Sequence, residues 1–183
     1  MKEGFCMNYR KATIKDIKHI AKLVTDLLGT CNLETNELTI FQNNVEEISK
    51  TIDNYYVCVE NDRIIGACGI SDIQKQDGYN LNKKNIREIL YLVVDGKYQR
   101  KGIGTRLLKL CSSNNQNDII YEAWGDNGKY PNSKIILERC GYILLKDLGK
   151  YYYKEHNYCS KCVNRNKECK ECIAQLWIKY SER

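Results

Sequence analysis

Apolar residues along the chain recur in the spacings of both strands and helices. A strand is predicted at residues 9–12, and Thr13 with Asp16 three residues later marks a helix start, as N-cap and capping-box variant. In this helix, apolar residues follow at intervals of three and four until Gly29 ends the run: Ile17, Ile20, Ala21, Val24, Leu27 and Leu28. A weaker helical pattern covers residues 45–52.

Alternating and apolar runs predict six further strands. They cover residues 55–60, 63–71, 88–94, 119–124, 142–145 and 173–178, with helices after Gly104 and at residues 131–139. The first two strands form a predicted hairpin, because Asn61 and Asp62 between them tolerate left-handed backbone. The strand at 88–94 is nearly all apolar at its end, which predicts burial on both faces. A polar surface loop is predicted over residues 74–84.

Composition and charge exclude several classes of protein. Of the 183 residues, 43% are hydrophobic and 28% charged, which favours one folded domain over a disordered or fibrous chain. The longest apolar run, residues 89–94, is far shorter than the ~20 residues of a membrane helix. The chain opens without a signal-peptide pattern, so we expect a cytoplasmic protein with no membrane partner. The net charge of +6 is spread along the chain and does not favour nucleic acid.

A glycine-rich segment, QRKGIG at residues 99–104, joins a buried strand to a helix. Free backbone N–H groups at a helix start bind phosphate, glycines allow a close approach, and Arg100 and Lys101 add positive charge. Two common phosphate loops do not fit these residues. A P-loop requires Gly-Lys-Ser/Thr, whereas residues 96–98 read Gly-Lys-Tyr, and a dinucleotide fingerprint requires Gly or Ala where Leu107 stands.

The segment resembles the signature of the GCN5-related N-acetyltransferases, Q/R-x-x-G-x-G/A, with Gln99, Gly102 and Gly104 at its defining positions. Its surroundings, VDGKYQRKGIG at 94–104 and LERCGY at 137–142, also resemble the family. The likeness implies an α/β fold with a mixed, largely antiparallel twisted sheet flanked by helices. It further implies an N-acetyltransferase that moves an acetyl group from acetyl-coenzyme A to a primary amine by direct attack in a ternary complex.

The resemblance assigns residues to this cosubstrate. The diphosphate would be held by backbone amides of Arg100, Lys101, Gly102, Ile103, Gly104 and Thr105. The pantetheine arm would lie along Leu92, Val93 and Val94, where two parallel strands splay apart. Gln99 would cap the turn.

Acetyl transfer requires a neutral amine, so a carboxylate is expected to remove its proton. Glu122 is the first candidate, because it lies among apolar residues of a strand, where desolvation raises a carboxyl pKa. It also matches a position that some family members use as the base. Glu88 on the preceding strand is the second candidate. An exposed strand residue or a structural ion pair is the alternative for both.

The general acid is harder to assign. The resemblance implies a tyrosine on the helix before Gly141, but Leu137 stands at that position. Tyr152 is the predicted substitute. The alternatives are water and three other tyrosines, Tyr130, Tyr142 and Tyr151.

Ten cysteines in a cytosolic chain do not predict a disulfide framework. Four of them form two C-x-x-C pairs six residues apart: Cys159, Cys162, Cys169 and Cys172. Two such pairs supply all four ligands of a tetrahedral metal ion. The spacing therefore predicts a structural Zn²⁺ within an insertion at residues 154–172 before the last strand. His156 is an alternative ligand, and a redox pair or reducible disulfides are alternative interpretations. The remaining six are predicted to pack as small apolar side chains: Cys6, Cys31, Cys58, Cys68, Cys111 and Cys140.

A second functional hypothesis is a non-catalytic, zinc-stabilised module that binds protein or nucleic acid, which Leu137 at the tyrosine position favours. The sequence does not identify the acceptor, a small-molecule or peptide amine. It also leaves the oligomeric state open, although two-fold homodimers are the commonest assemblies.

Overall fold

The fold is known from a computed structural model that describes residues 7–28, 37–72, 86–113, 116–125, 133–150 and 172–181. Its strands are β1 (Asn8–Lys11), β2 (Tyr55–Glu60), β3 (Arg63–Asp72), β4 (Ile86–Val94), β5 (Asp118–Gly125), β6 (Ile143–Lys150) and β7 (Ile173–Lys179). Its α-helices are α1 (Ile17–Leu28), α2 (Glu37–Thr51), α3 (Ile103–Ser112) and α4 (Lys134–Arg139).

The seven strands form one sheet in the order β1-β2-β3-β4-β5-β7-β6. All neighbouring strands in it run antiparallel except β4 and β5, which are parallel. A mixed, largely antiparallel sheet flanked by helices is therefore the fold, as the sequence predicted. The parallel pair follows from α3, which crosses back over the sheet between β4 and β5.

Helices cover both faces of the sheet. Side chains of α1 and α2, including Ile20 and Ile48, pack against one face together with Val57 and Val93. The other face carries α3 and α4, whose Leu107 and Leu137 are fully buried. A smaller cluster of Ile86, Ile120, Leu176 and Ile178 lies where β4, β5 and β7 meet.

Local signals located most elements correctly. The hairpin between β2 and β3 turns at Asn61 and Asp62, both with positive φ (47° and 60°), as predicted. Asp16 accepts hydrogen bonds from the Thr13 N–H (2.7 Å) and hydroxyl (2.9 Å), although a 3₁₀ turn at Ile14–Asp16 precedes α1. Arg10 also binds Asp16, which lowers the pKa of that carboxyl to about 2.

Several boundaries differ from the sequence prediction. Helix α2 begins at Glu37, eight residues before the predicted start, because packing against α1 stabilises a segment with a weak apolar pattern. Strand β6 continues to Lys150, because pairing with β7 holds polar residues that the apolar pattern did not mark. Helix α4 is described from Lys134, not residue 131. The predicted loop at 74–84 lies outside the described residues.

Strand β4 is covered on both faces, as predicted, since Ile89 is buried on the α3 side and Val93 on the α1–α2 side. Leu92 and Val94 on the α3 side are only partly buried. The predicted apolar packing of cysteines is confirmed for Cys58, Cys68, Cys111 and Cys140, which are free and buried. Cys6 and Cys31 lie outside the described residues. Among the helices in the described part of the chain, none has the length and apolarity to cross a bilayer.

Candidate active site

The centre of the sheet opens between β4 and β5. These parallel strands pair only at their beginnings, where Ile86, Arg87 and Glu88 lie beside residues 118–120. Beyond Glu88, β4 continues to Val94 and β5 to Gly125 without pairing, and β5 stays paired with β7 along residues 119–125. The two strands therefore diverge, as the resemblance implied.

A β-bulge lies at the point of divergence. Gly69 of β3 pairs with Tyr91, but the next residue, Ile70, pairs with Ile89, which leaves Leu90 as an extra residue in β4. Bulges bend the strand that carries them and increase its twist. The bulge also places Leu90 and Tyr91 on the same face, where both pack against the α1–α2 layer.

Peptide groups at the end of β4 face the opening. The Asp95 N–H donates to Ile65 O of β3 (2.9 Å), so by the alternation of an antiparallel ladder Val93 also faces β3. The peptide groups of Leu92 and Val94 then face the side that β5 has left. The Gln99 side-chain amide donates to Val94 O (3.1 Å), so Gln99 caps the end of β4 through that carbonyl.

The turn after β4 is held by Asp95. Its carboxylate accepts from the Lys97 N–H (3.0 Å) and from the Arg63 guanidinium (2.6 Å), which ties the turn to β3. The Tyr98 N–H then donates to Asp95 O (2.8 Å). Lys101 places its ammonium 4.9 Å from the centre of the Tyr98 ring. The residues directly before the glycine-rich segment are therefore held in place by these contacts.

Free amide donors are concentrated at the start of α3. Gly102 is the N-cap with φ 81° and ψ 0°, and the first helical hydrogen bond runs from the Arg106 N–H to Gly102 O (3.1 Å). The N–H groups of Ile103, Gly104 and Thr105 precede that bond and have no acceptor within the helix. A left-handed residue followed by a helical one forms a concave nest of N–H groups that binds anions.

Two further features suit an anion at this helix start. Arg100 has φ 61°, an uncommon conformation for a side chain of its size, and it is exposed beside the exposed Lys101. Gly104 is buried, and a Cβ there would lie 3.4 Å from Ile136 and 3.7 Å from Val94, so little room remains above it for a larger side chain. The residues that are predicted to bind the diphosphate thus form one continuous turn. The positive end of the helix dipole, the free amide N–H groups and the charged side chains all lie at this turn.

The two predicted carboxylates lie together on the opposite face of the sheet. Glu88 is level with Ile120 in the parallel pair, and Glu122 follows two residues later on the same face of β5. Burial raises the pKa of Glu88 from 4.5 to about 7, and the nearby charge of Glu122 acts in the same direction. The carboxyls therefore meet where β4 and β5 begin to diverge.

A GNAT relationship is established at the level of sequence by a profile match. The Acetyltransferase (GNAT) family profile matches residues 22–113, just over half of the chain. The chain belongs to this family. The matched segment includes β4, the turn and α3, which carry the diverging strand and the free amides. No curated protein sequence matches the chain.

Solved GNAT-type structures share the fold at low sequence identity. The NatC complex bound to Gag peptide and CoA matches with TM-score 0.64 and 17% identity over 97% of this chain and 99% of that chain. A GNAT-family acetyltransferase from Bacillus cereus matches with TM-score 0.61 and 16% identity over 97% and 99%. N-acetylglutamate synthase from Neisseria gonorrhoeae, complexed with coenzyme A and N-acetyl-glutamate, matches with TM-score 0.57 and 17% identity over 100% of this chain. The chain spans 36% of that synthase.

The position of the usual GNAT tyrosine is part of the core here. Leu137 is fully buried on the inner side of α4, within the α3-side cluster. Tyr142, an alternative acid, is buried and its hydroxyl forms a hydrogen bond with Ser112 Oγ (2.8 Å). Burial raises the pKa of Tyr142 far above its ordinary value, but this side chain has no exposed route to a substrate. Tyr152, Tyr130 and Tyr151 lie outside the described residues.

One pair beside the opening was missed in the sequence. Tyr91 Oη donates to Glu47 Oε2 of α2 at 2.5 Å, on the face that carries Glu88. Burial and the acceptor Glu47 raise the pKa of Tyr91. Glu47 belongs to a weakly amphipathic helix, and no local pattern relates it to a residue 44 positions later. The sole feature of the sequence that could have indicated this pair was a tyrosine in the middle of an apolar strand.

The predicted metal site falls mainly outside the described residues, because Cys159, Cys162 and Cys169 lie there. Cys172, the fourth predicted ligand, is half-buried and lies next to the start of β7. Within the described ranges, no group of three or more His, Cys, Asp or Glu side chains has the arrangement of a metal site. The zinc assignment therefore stays a prediction from the spacing.

The raised pKa of Glu88 predicts a pH-dependent cost to stability. The carboxyl ionises near pH 4.5 in the unfolded chain but near 7 in the folded protein, so stability decreases as the pH rises through this interval. We expect Glu88→Gln to stabilise the protein by about 3 kcal/mol at pH 8 and not at pH 4. Urea denaturation at both pH values measures the difference. The control is Glu46→Gln, which replaces an exposed carboxylate on α2. An equal effect of Glu88→Gln at both pH values would contradict the raised pKa.

Proposed function

We propose that this GNAT protein is an acetyl-coenzyme A-dependent N-acetyltransferase acting on a primary amine. The observation that carries the proposal is the divergence of β4 from β5 directly before the free amides of α3. A peptide-like arm fits along β4, because the peptide groups of Leu92 and Val94 face the opening. Coenzyme A has such an arm between its thiol and its diphosphate. The N–H groups from Arg100 to Thr105 would receive the diphosphate, as the resemblance implied.

The faces of the sheet separate the two substrates. The turn and the side chains of Leu92 and Val94 lie on the α3 side, whereas Glu88, Glu122 and Tyr91 lie on the other face. An amine would therefore approach from the face opposite α3. Two neighbouring carboxyls and the Tyr91–Glu47 pair make this face acidic, which suits an acceptor that arrives as a cation.

We assign the base role to Glu88 and the modulating role to Glu122, which reverses the order that the sequence suggested. A base is most effective when its pKa is near the working pH, and the pKa of Glu88 is about 7. The ammonium group of the acceptor loses one proton to this carboxylate, and its neutral nitrogen forms the bond to the acetyl carbonyl carbon. The C–S bond breaks, and the nitrogen gives its second surplus proton to water. The thiolate leaves with the electron pair and takes a proton from water. A backbone N–H of β4 would polarise the carbonyl.

Two measurements test the function. A thermal-shift titration with coenzyme A should raise the melting temperature, because a ligand that binds only the folded state stabilises it. If millimolar coenzyme A does not raise the melting temperature, the proposed enzymatic activity is wrong and the alternative, a binding module with a GNAT fold, is favoured. A screen of amines with acetyl-coenzyme A, following released thiol, then identifies the acceptor among peptides, polyamines, amino acids and other small amines.

We also propose that Cys159, Cys162, Cys169 and Cys172 hold one structural Zn²⁺. The four cysteines form two C-x-x-C pairs, and Cys172 lies directly before β7, which is the strand that pairs with both β5 and β6. Four thiolates would leave no open coordination position, so the metal would fix the chain before β7 and supply no chemistry. A cytoplasmic location agrees with reduced thiols.

Metal removal should destabilise the protein if the four sulfurs bind zinc. We expect one zinc per chain in freshly purified, reduced protein and a lower melting temperature after treatment with a chelator. Cys172→Ser should lower both the zinc content and the melting temperature, while Cys58→Ser should leave the zinc content unchanged. Elemental analysis measures the metal, and a metal-free wild-type protein would contradict the site.

A further inference from the structure

A second cavity lies outside the opening between β4 and β5. It has a volume of about 310 Å³ and lies between α4 and the β6–β7 edge of the sheet, lined by Lys134, Glu138, Tyr142, Ile143, Leu144, Gln175 and Trp177. None of these residues belongs to the glycine-rich turn or to the carboxylate pair. The cavity is at the lower end of the size range of small-molecule sites.

Two buried polar atoms of the cavity-lining residues have no hydrogen-bond partner within the part of the chain that the structure describes. They are the indole N–H of Trp177, whose side chain is 3% exposed, and Oε1 of Gln175, which is 2% exposed. The two residues are two positions apart in β7, so their side chains emerge on the same face of the sheet. An unpaired buried donor or acceptor reduces stability, because its hydrogen bond to water is lost and not replaced. A ligand with one acceptor and one donor would remove both costs.

The remaining lining determines the rest of the ligand. Leu144 pairs with Trp177, so its side chain lies on the same face, and it is 46% exposed, which gives the cavity an apolar rim. Lys134 and Glu138 form an ion pair at 4.0 Å on α4 and leave no net charge there. Tyr142 already has its hydroxyl bonded to Ser112 and contributes only its ring. The lining therefore suits a neutral molecule with an apolar group.

We propose that this cavity binds a small neutral secondary amide. The amide oxygen accepts from the Trp177 indole N–H, the amide N–H donates to Gln175 Oε1, and an apolar substituent covers Leu144. A single water can also accept one bond and donate another, but the cavity holds several times the volume of one water molecule.

The test uses the full chain and acetanilide as the probe molecule. The protein has two tryptophans, so a ¹⁵N spectrum contains two indole N–H signals, and Trp177→Phe assigns them. We expect acetanilide to shift the Trp177 signal saturably in the wild-type protein and to leave that of Trp124 unchanged. N-methylacetanilide retains the carbonyl and the ring but lacks the donor, and it should bind at least tenfold more weakly.

Gln175→Met keeps the length of the side chain and removes the acceptor. It should weaken acetanilide binding about tenfold and leave N-methylacetanilide unaffected. Three results would overturn the proposal: an unmoved Trp177 signal, equal binding of the two amides, or displacement of acetanilide by coenzyme A, which would locate it in the opening between β4 and β5. Because the readout is an indole signal and not turnover, it is independent of the proposed acetyl transfer.

Discussion

Replacing Gly102 with Val should reduce coenzyme A affinity at least hundredfold. Gly102 has φ 81°, and a β-branched side chain is strongly disfavoured in that conformation, although no atom lies within 4 Å of the added Cβ. The residue is expected to move to negative φ, which turns the N–H groups of α3 away from a common centre. Isothermal titration with coenzyme A measures the loss, and circular dichroism checks that the protein stays folded.

Gly96→Val is the matched control for this variant. A Cβ added at Gly96 also meets open space, but the φ of this residue is outside the left-handed range, so the same chemical change causes no backbone strain. Its coenzyme A affinity should equal that of the wild-type protein. Wild-type affinity in Gly102→Val would show that the turn does not hold the diphosphate.

The second large effect concerns the two carboxylates. We expect Glu88→Gln to lower turnover at pH 7 by about 10²-fold or more, since loss of a general base has this magnitude. In the wild-type protein, activity should rise with pH through about 7, because the base must be ionised to accept a proton. Steady-state rates from about pH 5.5 to 9 at saturating acetyl-coenzyme A measure both effects.

Glu122→Gln distinguishes the two carboxyls. Removing the neighbouring charge lowers the pKa of Glu88, so the rising limb of the pH profile should move to lower pH while turnover at neutral pH is retained. Coenzyme A affinity should not change in either variant, and Glu46→Gln controls for the loss of a carboxylate elsewhere. If Glu122→Gln loses activity and Glu88→Gln only shifts the profile, the roles are exchanged.

Features encoded by consecutive residues were predictable from the sequence. The bounds of β2 and the Asn61–Asp62 turn each depend on backbone preferences within a few residues. The same holds for the glycine-rich turn and its resemblance to GNAT proteins, because amide donors at a helix start are a local property. Helix α3, predicted after Gly104, begins slightly earlier, at Ile103. Buried cysteines in strands and helices also followed from their apolar surroundings.

Features that depend on contacts between distant segments of the chain were not predictable from the sequence. The sheet opens where the pairing of β5 with β4 ends after Glu88, and this pairing joins segments that are about 30 residues apart in the chain. The bulge at Leu90 arises because β4 has one more residue than the segment of β3 that it pairs with, so the sequence of neither strand alone indicates it. Likewise, Glu47 meets Tyr91 only because α2 packs on β4.

The sequence by itself determined that the chain has a glycine-rich turn before a helix on an α/β framework, because short-range backbone preferences and a family signature lie in contiguous residues. The tertiary structure alone decided that Leu137 is core, that Glu88 and Glu122 share one face, and that Glu88 ionises near neutral pH. A carboxyl pKa depends on how much water and charge surround it, and strands, helices and neighbours from across the chain provide that environment.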